Sequence, residues 1–196
     1  MNVNAYPKSV ELKEGSALLR QISESDAEAL ELFVGSLDTH DLLFLPRDLT
    51  VAKVREAWLR SAESGGMQTV IALQGDAIVG CAAIAVDSHS WSPHVGELRV
   101  LVAPALREQG LGRLLIQESF ILGISMDLSK LTARMTLDQD AAMEVFQDMG
   151  FKPEAMLKEH VEDREGKRHD LVILSHDVAQ FEAQLQAYGV SEAFDD

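Results

Sequence analysis

Apolar positions along this chain switch between a two-residue and a three-to-four-residue period, and the switches mark out its elements. After a loose lead-in over residues 1–15, residues 17–22 read as a first strand. Ser25 followed by Glu28 has capping-box spacing and predicts a helix carrying Leu30, Phe33 and Val34, closed by Gly35-Ser36. A mixed connection, residues 40–48, precedes a second helix capped by Thr50, with Val54, Trp58 and Leu59 on one side and Gly65-Gly66 as its stop. Residues 67–73 and 77–87 flank the turn Gln74-Gly75-Asp76 and predict a buried hairpin.

The second half repeats this alternation. A strand over residues 95–102 leads into a helix with Leu111, Leu114, Leu115 and Leu122 on one face, ending near Gly123. A strand over 130–137 then leads into a helix beginning at Asp138, with Met143, Phe146 and Met149, that stops at Gly150. Residues 155–161 and 168–174 form a further hairpin, and an amphipathic helix over about 176–189 carries Val178, Phe181, Leu185 and Tyr188. The order β-α-α-β-β-β-α-β-α-β-β-α predicts one α/β (α+β) domain over residues 1–196. We expect a mixed, mostly antiparallel twisted sheet of about seven strands with helices on both faces.

Composition narrows the function classes. With 196 residues, 46% hydrophobic and 25% charged, the chain can bury a full core. The longest apolar run, residues 77–86, falls far short of the ~20 residues a spanning helix needs. The amino terminus lacks the basic and apolar regions of a signal peptide, and a single cysteine, Cys81, excludes a disulfide framework. A cytoplasmic protein with no membrane partner is expected. A formal net charge of -15 disfavours nucleic-acid binding and is compatible with an amine substrate.

The most distinctive stretch runs from Val100 to Leu115. A short β-branched strand ends at Pro104, and Arg107-x-x-Gly110-x-Gly112 sets two glycines where helical periodicity begins. The first amides of a helix lack intrahelical partners and sit at the positive end of its dipole, so glycines there admit an anion to the backbone. Arg107 and Arg113 flank the turn. Leu115 stands where a dinucleotide fingerprint needs a third glycine, and no Gly-Lys-Ser/Thr triplet exists for a P-loop. The pattern V-x-P-x-x-R-x-x-G-x-G-x-x-L resembles the acyl-CoA-binding motif of the GNAT superfamily of N-acyltransferases, and the element order is similar to that fold over about residues 16–175.

The resemblance implies acetyl-CoA as co-substrate. The coenzyme A pyrophosphate would lie on the turn Arg107, Glu108, Gln109, Gly110, Leu111, Gly112 and Arg113, and the backbone of Val100, Leu101 and Val102 would hold pantetheine and polarise the thioester. A second match, Gln139-x-x-Ala142-x-x-x-Phe146-x-x-x-Gly150-Phe151, is similar to the family pattern N-x-x-A-x-x-x-Y-x-x-x-G-F. Gln139 keeps the amide of the family asparagine, whereas Phe146 removes the hydroxyl that in many members protonates the leaving thiolate. Asp138, Asp140 and His160 are weak stand-ins.

Attack by an amine needs a proton acceptor, and Glu97, five residues before Val102, is the candidate. Strand alternation sets Glu97, Arg99 and Leu101 on one face, where a salt bridge between Glu97 and Arg99 is the competing reading. Cys81 is expected to be a core residue. The spacings of His160, His169 and His176 fit no ligand pattern, so no metal site is expected. The function expected is acetyl transfer to a small-molecule primary amine, or to a protein amino terminus or lysine. A non-catalytic acyl-CoA-binding or scaffold module is the alternative, and a homodimer is left open.

Overall fold

The alternating stretches on either side of Gln74-Gly75-Asp76 become the long central hairpin of one sheet. In the computed structural model, which describes residues 6–178, the elements are β1 (Lys8–Glu11), β2 (Ser16–Gln21), α1 (Ala27–Gly35), α2 (Ala52–Glu63), β3 (Met67–Gln74) and β4 (Ala77–Ala85). They continue as β5 (Val95–Val102), α3 (Leu111–Ser125), β6 (Lys130–Thr136), α4 (Asp140–Asp148), β7 (Lys152–Glu162) and β8 (Arg168–Asp177). The spatial order is β1-β2-β3-β4-β5-β6-β8-β7. Every neighbouring pair is antiparallel except β5 with β6. The mixed α/β fold is as the periodicity predicts.

Two cores follow from the two faces. On one side α3 and α4 bury Leu111, Leu115, Phe120 and Phe146 against Ile84, Leu98, Leu131 and Leu174. On the other, α1 and α2 bury Phe33, Val34, Trp58 and Leu59 against Ile71, Cys81, Ala83 and Leu101. Cys81 is a fully buried packing residue, and burial pushes its thiol up to about 12.

Several boundaries differ from the sequence expectation: α2 is N-capped by Val51 rather than Thr50, and β7 begins at Lys152 rather than residue 155. The lead-in contains a strand, β1, which makes eight strands rather than about seven. Its Lys-Ser-Val-Glu sequence has one apolar residue, as a short, charged edge strand can. The capping box lies two residues earlier than expected: the Asp26 carboxylate accepts from the Ser23 amide at 2.8 Å and is gripped by Arg20 at 2.6 and 2.7 Å. Asp138 does not begin α4; Gln139 is its N-cap. Finally, β8 runs through Asp177, so residues 176 and 177 are strand, and the remainder of the expected terminal helix lies outside the described residues apart from buried Val178. Among the described residues no helix is long and apolar enough to cross a membrane.

Candidate active site

The sheet opens at Leu98. β5 pairs with β6 from Val95 opposite Lys130 to Leu98 opposite Ala133 and no further, although the strands run on to Val102 and Thr136. Beyond that point each strand follows its other neighbour, β5 along β4 to Gly80 and β6 along β8 to Leu171. Two parallel strands therefore fork and leave backbone edges facing the gap. The Ala103 amide donates to the Val79 carbonyl at 2.9 Å, which assigns the odd-numbered residues of β5 to the β4 side. By alternation the N–H and C=O groups of Val100 and Val102 point into the fork. Leu101 instead pairs toward β4 and buries its side chain under α1 and α2.

At its open end the fork meets the glycine turn. Pro104–Leu106 forms one 3-10 turn, Glu108 and Gly110 take left-handed backbone angles, with φ of 61° and 88°, and α3 starts at Leu111 with Gly110 as N-cap. Left-handed residues in such a turn aim successive amides to one side and make an anion-binding concavity. A Cβ on Gly110 would meet nothing within 4 Å. Glycine is needed there for its φ and for open approach, not for packing. The Gln109 carbonyl accepts from the Lys13 amide at 3.1 Å, which fastens the turn to the lead-in. The buried Oε1 of Gln109 has no partner among the described residues, an acceptor that an amide- or hydroxyl-bearing ligand would satisfy. The turn, the fork and this acceptor together fit a long ligand with a phosphate at one end.

Each flanking arginine already holds a carboxylate. Arg107 pairs with Asp41 from the α1–α2 connection, and Arg113 with Asp148 at the end of α4, at 3.1 Å. Both pairs are substantially exposed, and such pairs contribute about 0–1 kcal/mol. A phosphate can therefore exchange with them at small cost.

Glu97 lies one residue before the fork, on the α1/α2 face, with its side chain 19% exposed. One carboxylate oxygen accepts from Arg99 Nε at 2.8 Å, and the other forms an ion pair with Arg134, whose Nε lies 3.2 Å away. The expected pair with Arg99 is present, and a second arginine joins it from β6. On α4, Gln139 turns its side-chain carbonyl back to accept from the Thr136 amide at 3.2 Å. Phe146 is buried and meets Phe151 edge-on, with ring centroids 5.0 Å apart. It is a core residue at the position where the family pattern has tyrosine.

Sequence reasoning missed a polar cluster beside the fork. His40, in the 3-10 turn Thr39–Leu42, meets Asp138 at 3.0 Å and Thr136 at 3.4 Å. His169 on β8 lies 3.6 Å from the same Asp138 and 2.8 Å from Asp163. These five polar residues lie up to about 130 positions apart in the chain, so no local spacing announces them.

The Acetyltransferase (GNAT) family matches residues 31–151, more than half of the sequence. The chain belongs to the GNAT acetyltransferase family. Its fold is similar to that of a GNAT-family acetyltransferase from Streptococcus pneumoniae (TM-score 0.71, 24% identity, covering 82% of this chain and 99% of that one). It is also similar to a ribosomal-protein-alanine N-acetyltransferase from Brucella melitensis (TM-score 0.69, 23% identity, 82% and 99% covered). A third likeness is to a putative acetyltransferase from Salmonella typhimurium solved with acetyl-CoA (TM-score 0.70, 19% identity, 83% and 94% covered). A search among curated proteins finds no match.

Proposed function

We propose that this GNAT chain transfers an acetyl group from acetyl-CoA to a small primary amine by direct attack. The observation that carries the reading is the fork between β5 and β6 opening onto the left-handed glycine turn. Bound acetyl-CoA supplies the activated thioester. The first amides of α3, reached past Gly110 and Gly112, hold the pyrophosphate, with Arg107 and Arg113 exchanging their carboxylate partners for it. Val100 and Val102 offer backbone groups to the pantetheine arm and to the carbonyl oxygen; a donor of that kind is typically worth ~3 kcal/mol. The amine nitrogen bonds to the carbonyl carbon as the carbon–sulfur bond breaks.

Glu97 accepts the amine proton, directly or through water, while Arg99 and Arg134 hold its carboxylate in place. Phe146 has no proton to give, so water protonates the departing thiolate, which near neutral pH is a fair leaving group.

A cleft of about 210 Å³ between α2 and the sheet, on the same face as Glu97, supports a small acceptor. Leu49, Val54, Trp58 and Met67 make it largely apolar, and Arg47 and Arg99 line it as well. That lining suits an amine bearing an apolar group and an acidic one better than a polycation. The likeness to a ribosomal-protein-alanine N-acetyltransferase makes a peptide amino terminus the second acceptor class.

The test is a thermal melt with acetyl-CoA followed by coenzyme A release across amino acids, polyamines and peptide amino termini. Saturation at 100 times Kd adds about 2.7 kcal/mol to stability, so a clear rise in Tm is expected, with release on at least one amine. No rise at millimolar acetyl-CoA overturns the reading. A rise without release from any acceptor makes the chain an acyl-CoA-binding module instead.

A further inference from the structure

We propose that His40, Asp138 and His169 form a binding site for a divalent transition metal of the zinc type, with Asp163 as its outer carboxylate. One nitrogen of each histidine and one oxygen of Asp138 all lie within 4.8 Å of one another. The three residues come from separate segments, the α1–α2 connection, the turn between β6 and α4, and β8.

The hydrogen bonds around His169 point its lone pair inward. Asp163 is fixed by its own turn, where its Oδ1 accepts from the amides of Glu165 and Lys167, both at 2.9 Å. Its Oδ2 faces His169 Nε2 at 2.8 Å, so that nitrogen carries the hydrogen. In the neutral ring the lone pair then sits on Nδ1, which faces an oxygen of Asp138 at 3.6 Å. A nitrogen lone pair and a carboxylate oxygen facing each other beyond hydrogen-bond range are two donors without an acceptor between them. His40 Nε2, which donates to the other Asp138 oxygen at 3.0 Å, becomes a third metal donor when the metal displaces that proton. A carboxylate behind a histidine is the usual outer partner of a metal-bound imidazole, fixing its tautomer and raising its basicity.

Donor chemistry and geometry select the metal class. Two imidazoles and one carboxylate form a borderline set that suits zinc, and three protein ligands leave a fourth position for water. A shallow recess lined by Leu137, Asp138, Lys158 and His169 gives that position access to solvent. In a tetrahedral site, ligand bonds of about 2.0–2.2 Å set neighbouring donors roughly 3.4 Å apart, so a pair as wide as 4.8 Å closes by a little over an ångström on binding. His40, on an exposed connection, can move that far. Metal binding would clamp the α1–α2 connection to the far strand of the fork, on the face where Glu97 lies.

The experiment uses untagged protein stripped with EDTA, titrated calorimetrically with zinc chloride and spectroscopically with cobalt chloride. We expect one saturable site per chain, with the intense visible absorption of four- or five-coordinate cobalt. His40→Gln and Asp138→Asn change exposed side chains and should each weaken binding at least tenfold, with the Tm in EDTA near that of the parent. Asp163→Asn should weaken it by about 10- to 100-fold, as loss of an outer partner does. Absence of saturable binding overturns the proposal, and so does zinc affinity unchanged in the His40→Gln, Asp138→Asn double variant.

Discussion

Glu97 shows how far a single residue can be read from sequence. Its place on the strand before the glycine turn and the competing pair with Arg99 were both legible, because alternation along a strand sets side-chain direction. The second clamp, Arg134, was not, because it depends on which strand lies beside β5. With both oxygens held by guanidiniums, the carboxylate is fixed in position and can hand a proton on through water. Replacing Glu97 by Gln should lower turnover at neutral pH on the order of 100-fold, the usual contribution of a positioned base, while acetyl-CoA affinity stays nearly unchanged. Equal turnover in steady-state kinetics would leave Glu97 as a structural clamp only. Phe146 teaches the complementary lesson. Its lack of a hydroxyl was plain from the sequence, but its place in an aromatic cluster with Phe151 and Phe120 needed the packing of α4 onto the sheet.

Among the elements, β5 and β6 carry the site, and they do so by ceasing to pair. Nothing in either strand's own pattern announces the fork. It arises because β5 stays with β4 and β6 with β8 past the point where the two strands part, so the backbone groups on their facing edges are left without a strand partner. Gly96 sits on the paired side of the fork, where an added Cβ would lie 2.7 Å from both Ile84 Cγ2 and Leu128 Cδ1. That contact leaves no room for a methyl group. Gly96→Ala should cost about 1–3 kcal/mol, the range for overpacking a filled core, measured as a lower urea midpoint with an unchanged slope. A variant as stable as the parent would show that the strands can part further at that point.

At the scale of the whole molecule, buried and bridged titratable groups set the response to acid. Burial holds the His176 imidazole below its ordinary range, so the unfolded chain takes up that proton first and stability falls as pH drops below about 6.5. The Arg20 guanidinium holds the Asp26 carboxyl low, and the Thr50 hydroxyl does the same for Asp48. Carboxyls lowered on folding contribute stability above about pH 4, their unfolded value, and lose it as pH falls through the folded one. Melts in EDTA should therefore show Tm declining in two stages on acidification. His176→Gln should remove the upper stage and leave the lower; a two-stage curve in that variant would place the upper group elsewhere.

By itself the sequence determined the two periodicities, and with them the number and order of most elements, the mixed sheet and the glycine turn at the start of α3. These are local properties, set by side-chain direction along a strand or helix and by the backbone freedom of glycine at Gly110. The edge strand β1 escaped because one apolar residue in four makes no periodic signal. Tertiary structure alone decided the fork, the two arginines on Glu97, the carboxylates on Arg107 and Arg113, and the meeting of His40, Asp138, His169 and Asp163. Each joins residues far apart in the chain, and their distances are fixed only when the sheet has assembled and its two faces have been covered.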